Sequence, residues 1–168
     1  VAGFDVRPVT EFGDVSDRMI ADAGVFAADR EVVISVVRDI DQTEDLLLRK
    51  QAILSKAPAL RYLVICSTLS PRYLEDLRSR LPAALKVVDA PMSGAQVAAD
   101  EARLSFMLGG ADAALDALDP PFLALGPTIH RMGGPGKGMQ PKVLHHYVTA
   151  RRIRVARPAT HSLRDACS

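Results

Sequence analysis

The sequence predicts an α/β fold built on a mostly parallel sheet covered on both faces, and three observations predict it. Two apolar runs rich in β-branched residues, EVVISVV at 31–37 and RYLVIC at 61–66, lack the alternation of a half-solvated strand. They read as strands buried on both sides. Stretches of helical spacing separate such runs, as in a chain that crosses back over its own sheet. A length of 168 residues with 48% hydrophobic content supplies one core and not two.

Taken in order, residues 4–9 read as a short extended run, and Val15, Met19, Ile20 and Ala23 stand at helical spacing over 13–23, stopped by Gly24. The strand at 31–37 follows. Asp41 is placed to cap a helix through residue 54, with Leu46, Leu47 and Ile53 as its apolar side. After the strand at 61–66, Ser70-Pro71 opens a helix whose stripe is Tyr73, Leu74, Leu77 and Leu81, because proline suits a first helical turn. A short strand at 86–89, a loop PMSGAQ, a strand LSFMLG at 104–109 and a helix over 111–118 complete the pattern. The glycine- and proline-rich GPTIHRMGGPGKG then reads as a loop feeding a helix that begins near Met139.

Composition excludes several function classes. Twenty-one Lys and Arg against 20 Asp and Glu give a net charge of +1, which favours neither nucleic acid nor an anionic membrane surface. Five arginines and one aspartate sit in 151–168, so the first 150 residues carry net −3. That tail has no aromatic interleaving and no recognised binding motif, which argues against a nucleic-acid partner. Cys66 and Cys167 form neither a disulfide framework nor a metal spacing. No stretch approaches the roughly 18 apolar residues of a spanning helix, and no signal-peptide order opens the chain, so the expected location is cytoplasmic.

In parallel sheets ligands bind at the carboxyl ends of strands, which directs attention to Val37-Arg38-Asp39, Ser67-Thr68 and Ala90 to Gly94. Ser93 offers a hydroxyl, and Gly94 lets backbone N–H groups approach an anion closely. Lys142 stands in the first turns of the apolar helix that follows a glycine loop.

Three segments stand in a fixed order: STLSP at 67–71, DAPMSGAQVAADEARLSFMLGG at 89–110 and GGPGKGMQPKVLHH at 133–146. In that order the chain resembles the β-hydroxyacid dehydrogenases, the NAD(P)-dependent family of 3-hydroxyisobutyrate dehydrogenase and tartronate semialdehyde reductase. The resemblance covers about Gly3 to Tyr147. It implies a Rossmann-like doubly wound sheet, with 1–138 as a partial NAD(P)-binding domain and 139–168 as the start of an interdomain helix plus a basic tail.

The resemblance also implies roles. Lys142 is the general acid/base; Ser93, Gly94 and Ala95 hold the substrate carboxylate, with Ala95 standing where the family has a second glycine. His146 occupies the position of a substrate-orienting asparagine, one helical turn after Lys142. Val37, Arg38, Gln42 and Thr68 fall at positions that contact NAD or NADP, and Thr10-Glu11 falls at the end of the family's second strand, where cofactor preference is set. The implied reaction passes a hydride between the nicotinamide and a small 3-hydroxy acid or its semialdehyde.

No Gly-x-Gly-x-x-Gly turn precedes Gly3, and Pro158 interrupts the helix that in the family leads to an all-helical second domain. The expectation is a domain truncated at both ends that assembles as a homo-oligomer. The alternative expectation is an inactive remnant that serves only as a binding or oligomerising module.

Overall fold

A computed structural model describes residues 1–144 of the chain. Strands β1 (Val32–Ser35), β2 (Tyr62–Ile65) and β3 (Lys86–Asp89) are parallel and in continuous register, so that Ser35, Ile65 and Asp89 stand level at their carboxyl ends. β3 meets β5 (Ser105–Gly109) antiparallel through Asp89 and Gly109, and the two-residue β4 (Met92–Ser93) extends that contact. β6 (Thr128–Gly133) lies parallel to β5 on its other side, leaving β1 and β6 as the edges of the sheet among the described residues.

Helices α2 (Ile40–Leu47) and α3 (Ile53–Lys56) connect β1 to β2, and α4 (Pro71–Ser79) connects β2 to β3. α5 (Ala95–Asp100) and α6 (Asp112–Leu125) follow β4 and β5. Residues 139–144 are helical.

The unbroken apolar run of β2 reflects burial on both faces. Leu63 and Ile65 pack with Leu47, Ile53, Leu74 and Leu77 in one layer, whereas Val64 and Cys66 pack with Phe106, Leu115, Leu118 and Phe122 in the other. A period of two thus sends successive residues into two different cores. The rings of Phe106 and Phe122 lie 5.0 Å apart at 59°, a tilted pairing that adds about 0.5–1.5 kcal/mol beyond area burial.

Several local expectations are corrected. Residues 4–9 are not a strand: pairing is limited to a bridge between Gly3 and Met19, and a 3-10 helix over Val9–Arg18, kinked at Gly13, replaces the expected helix. Gly24 does not stop a helix but lies within the short α1 (Ala23–Ala27), whose cap is Asp22. Asp39, not Asp41, caps α2 through its contact with the Gln42 N–H. The expected single helix to residue 54 breaks after Leu47, and Ala52 in the left-handed region starts α3.

The PMSGAQ loop is partly β4 and partly α5, and TIHRMG is the sixth strand. α6 runs on through Pro120 and Pro121 to Leu125, because Leu118 and Phe122 bury against the sheet on the same side. No described helix is long and apolar enough to cross a membrane.

Candidate active site

The site candidates divide between two places along one edge of the sheet. Because the ends of β1, β2 and β3 are level, the chain leaves them side by side. At the first place a cleft of about 500 Å³ is lined by Arg38, Asp39, Ile40, Asp41, Thr68, Leu69 and Ser70. It lies where α2 and α4 begin, so the unpaired N–H groups and positive dipole ends of two helices meet there. Asp39 accepts from the Gln42 N–H at 2.9 Å and Ser70 from the Tyr73 N–H at 3.1 Å, which fixes both first turns.

Of the sequence candidates, Arg38 and Thr68 line this cleft. Gln42 sits behind it and accepts the Arg38 N–H at 3.0 Å. Val37 contributes its carbonyl, which accepts the Ser67 hydroxyl at 2.5 Å and ties the loop after β1 to the loop after β2. Farther from the cleft walls, Tyr73 of α4 and Arg80 at its C-cap both reach Glu44 of α2, with Tyr73 Oη donating to Oε1 at 2.8 Å. Arg80 foremost, then Tyr73, holds the Glu44 carboxyl below its ordinary range.

At the second place Lys142 Nζ donates to Ser93 Oγ at 2.7 Å. Lys142 is buried, and that burial pulls its pKa below the usual lysine value. The arrangement joins an amine of lowered basicity to a hydroxyl at the end of β4, chemistry that can move a proton to or from a third oxygen. Gly94 and Ala95 follow Ser93 with φ of 136° and 53°. A side chain at Gly94 would meet Ala98 at 2.5 Å, so only glycine fits there, while Ala95 carries a methyl in the left-handed region. His146 lies outside the described residues, as do its neighbour His145 and the basic tail.

Two acidic residues escaped the sequence reading. Asp89 is 2% exposed and its carboxylate accepts the Gly136 N–H at 2.6 Å and the Met139 N–H at 2.9 Å. Its signal was present as the first letter of the DAPMS segment. Asp5 accepts from the Arg7 backbone and guanidinium and lines a second cavity of about 480 Å³ with Lys50, Gln51 and Lys56. Thr10 and Glu11, where cofactor preference was expected to be set, lie instead inside the 3-10 helix.

Residues 2–134 match the family model described as the NAD binding domain of 6-phosphogluconate dehydrogenase. The chain is similar to 2-hydroxy-3-oxopropionate reductase of Escherichia coli (strain K12), 27% identical over 159 residues that make up 86% of this chain and 52% of that protein. It is 31% identical over 121 residues to NAD-dependent L-serine dehydrogenase of Pseudomonas aeruginosa, covering 71% of this chain and 41% of that one. A solved structure of Mycobacterium tuberculosis 3-hydroxyisobutyrate dehydrogenase with L-serine shares the fold at a TM-score of 0.79 and 23% identity, over 100% of this chain and 58% of that one. The chain spans about half the length of the curated relatives it matches.

Proposed function

Because the chain belongs to the family of the NAD binding domain of 6-phosphogluconate dehydrogenase, we propose that it is the dinucleotide-binding part of an NAD(P)-dependent oxidoreductase acting on a small 3-hydroxy acid or its semialdehyde. The observation that carries the reading is the 2.7 Å hydrogen bond from buried Lys142 to Ser93. The relatives named above act, by their names, on such compounds, which supports the substrate class.

The residues present fit a dinucleotide. Arg38 and the first-turn N–H groups of two helices offer donors to a phosphate, beside the carboxylates of Asp39 and Asp41, and Thr68 adds a hydroxyl for a ribose or amide. The bound nicotinamide supplies the hydride chemistry. Ser93 Oγ and the Gly94 and Ala95 N–H groups hold the substrate carboxylate, and neutral Lys142 takes the proton of the substrate hydroxyl as that carbon is oxidised. In the reverse direction the Lys142 ammonium returns the proton to the carbonyl oxygen.

Retention of the buried lysine and its serine partner speaks against an inert binding module. The same reading includes self-association through the outer edge of β1, where Ile34 is 37% exposed. Sedimentation as a monomer at micromolar concentration would remove that part alone.

The primary test is a titration with NADH and NADPH followed by nicotinamide emission, then turnover of 3-hydroxyisobutyrate and L-serine by the wild type and Lys142→Ala. Saturable NADH binding with turnover lost in the variant supports the reading. Turnover undiminished by Lys142→Ala overturns it.

A further inference from the structure

We infer that Asp89 is the positioning residue that sets Lys142 against Ser93. The inference rests on the proposed proton-transfer role of Lys142 and goes beyond it, since Asp89 touches neither the amine nor the serine among its hydrogen-bond partners.

The geometry is that of one carboxylate governing two segments. Asp89 is the last residue of β3, four residues before Ser93 along a chain that continues directly into β4. Its two oxygens face across the sheet edge, Oδ1 to the Gly136 N–H and Oδ2 to the Met139 N–H. Met139 opens the helical residues 139–144, and Lys142 stands three residues further, on the same side of the first turn. The carboxylate therefore fixes where that helix starts and how it is turned about its axis. Both quantities decide whether Nζ arrives at Ser93 Oγ.

The surroundings are shaped for this contact. A Cβ on Gly109 would stand 2.5 Å from Asp89 Oδ1 and 2.6 Å from the Gly138 nitrogen, inside the gap that the carboxylate bridges. A Cβ on Gly138 would meet Asp89 Oδ2 at 2.8 Å and the Met107 carbonyl closer still. Two glycines thus keep open a passage through which strand end and loop approach. Burial raises the Asp89 pKa while the N–H groups of Gly136, then Met139, oppose the rise, so the contact holds a costly group in place. A carboxylate with a helix start in front of it is also favourably placed against the dipole.

Packing alone does not explain the arrangement. The Met139 side chain is fully buried in the same layer as Leu63 and Ile65, so it anchors the loop to the core without orienting it. Anchoring and orientation are separable, and Asp89 supplies the second. An asparagine of the same size offers one acceptor and presents an NH2 to the other N–H, which breaks one of the two contacts while keeping the volume.

The test reads the lysine directly. Wild type, Asp89→Asn and Asp89→Glu are labelled with acetic anhydride across pH 7 to 11, with Lys142 followed by peptide mass spectrometry and amide exchange measured over residues 134–141. In Asp89→Asn the labelling midpoint of Lys142 is expected to move upward toward an ordinary lysine, and exchange at Gly136 and Met139 to quicken by about tenfold or more. Circular dichroism should stay unchanged, and Asp89→Glu should restore part of the midpoint. A folded Asp89→Asn protein with wild-type Lys142 titration and wild-type exchange overturns the inference.

Should Asp89→Asn fail to fold, the wild type in mild denaturant decides. Protection of Gly136 and Met139 and shielding of Lys142 must then be lost together, and loss of the first with the second intact refutes the assignment. None of these readouts needs turnover, so the hydroxy-acid reading fails separately, through Lys142→Ala.

Discussion

Lys142 and Ser93 are 49 residues apart in sequence, yet the lysine amine donates to the serine hydroxyl over 2.7 Å. Two unrelated pieces of chain, a strand end and the first turn of a helix, converge on that contact. In the proposed reading it divides labour between a group that moves a proton and a group that grips an anion, and each can be removed separately.

Lys142→Ala is expected to lower kcat for 3-hydroxyisobutyrate by about 10²- to 10⁴-fold, the usual worth of a positioned acid/base. NADH affinity should stay within a factor of about two, since the lysine is not among the residues lining the cleft. Ser93→Ala should instead raise KM more than it lowers kcat. Steady-state kinetics on the three proteins distinguish the two roles.

The lowered pKa of Lys142 gives the stability a pH signature, and under the proposed acid/base role it gives the oxidation rate the same one. Only neutral Lys142 accepts a proton, so kcat/KM for oxidation rises with pH through a value below the ordinary lysine range. The folded state also binds this proton less tightly than the unfolded state. Its burden on stability is therefore full below the lowered pKa and disappears as pH rises through the ordinary lysine value. Lys142→Met is expected to flatten that rise, measured as urea midpoints between pH 7 and 11.

Glu44 titrates with the opposite sign. Its carboxyl is held low chiefly by Arg80 and is most stabilising when charged, so the contribution is present above the ordinary carboxylate range and lost as pH falls through the lowered value. Arg80 is 38% exposed, and water screens the pair, which limits the effect of Glu44→Gln to about 1 kcal/mol. Thermal unfolding should separate wild type from variant at pH 7, and the two should converge as the pH is lowered through the depressed Glu44 pKa.

Ala95→Gly should stabilise the protein by about 0.5–1 kcal/mol, because an L side chain at φ 53° carries a strain that glycine lacks. Ala102, at φ 50°, provides the control outside the anion loop. Both substitutions should raise the urea midpoint, and only Ala95→Gly should change KM for the hydroxy acid.

Ser67→Ala removes the tie between the loops after β1 and β2. NADH binding is expected to weaken by about three- to tenfold, the effect of one intramolecular hydrogen bond. Titration of the variant with NADH measures it, with Lys142 labelling expected to stay as in the wild type.

The sheet was legible wherever a run of β-branched residues had no polar alternation, as in EVVISVV and RYLVIC, because burial on both faces writes itself directly into composition. Ser70-Pro71 was legible as a helix start for a local reason, a cap and a preset φ. TIHRMG was not read as a strand, since its side chains are mostly exposed and its place is set by pairing with β5, a partner some twenty residues away. Pro120 and Pro121 hid the length of α6, where burial of Leu118 and Phe122 outweighs the missing N–H groups. Ser93 and Lys142 were visible as residue types in a motif. Asp89 was visible as a letter only, because its role depends on loop amides brought to it by the fold.

The level alignment of Ser35, Ile65 and Asp89 acts as a gauge for the whole edge. A slip of one residue in either ladder would advance one loop by about 3.3 Å and turn its strand over, exchanging the residues of the two core layers. Errors of alignment are thus converted into errors of burial, which cost far more than a misplaced loop. The apolar interior of three short strands serves as the ruler by which the polar edge is measured.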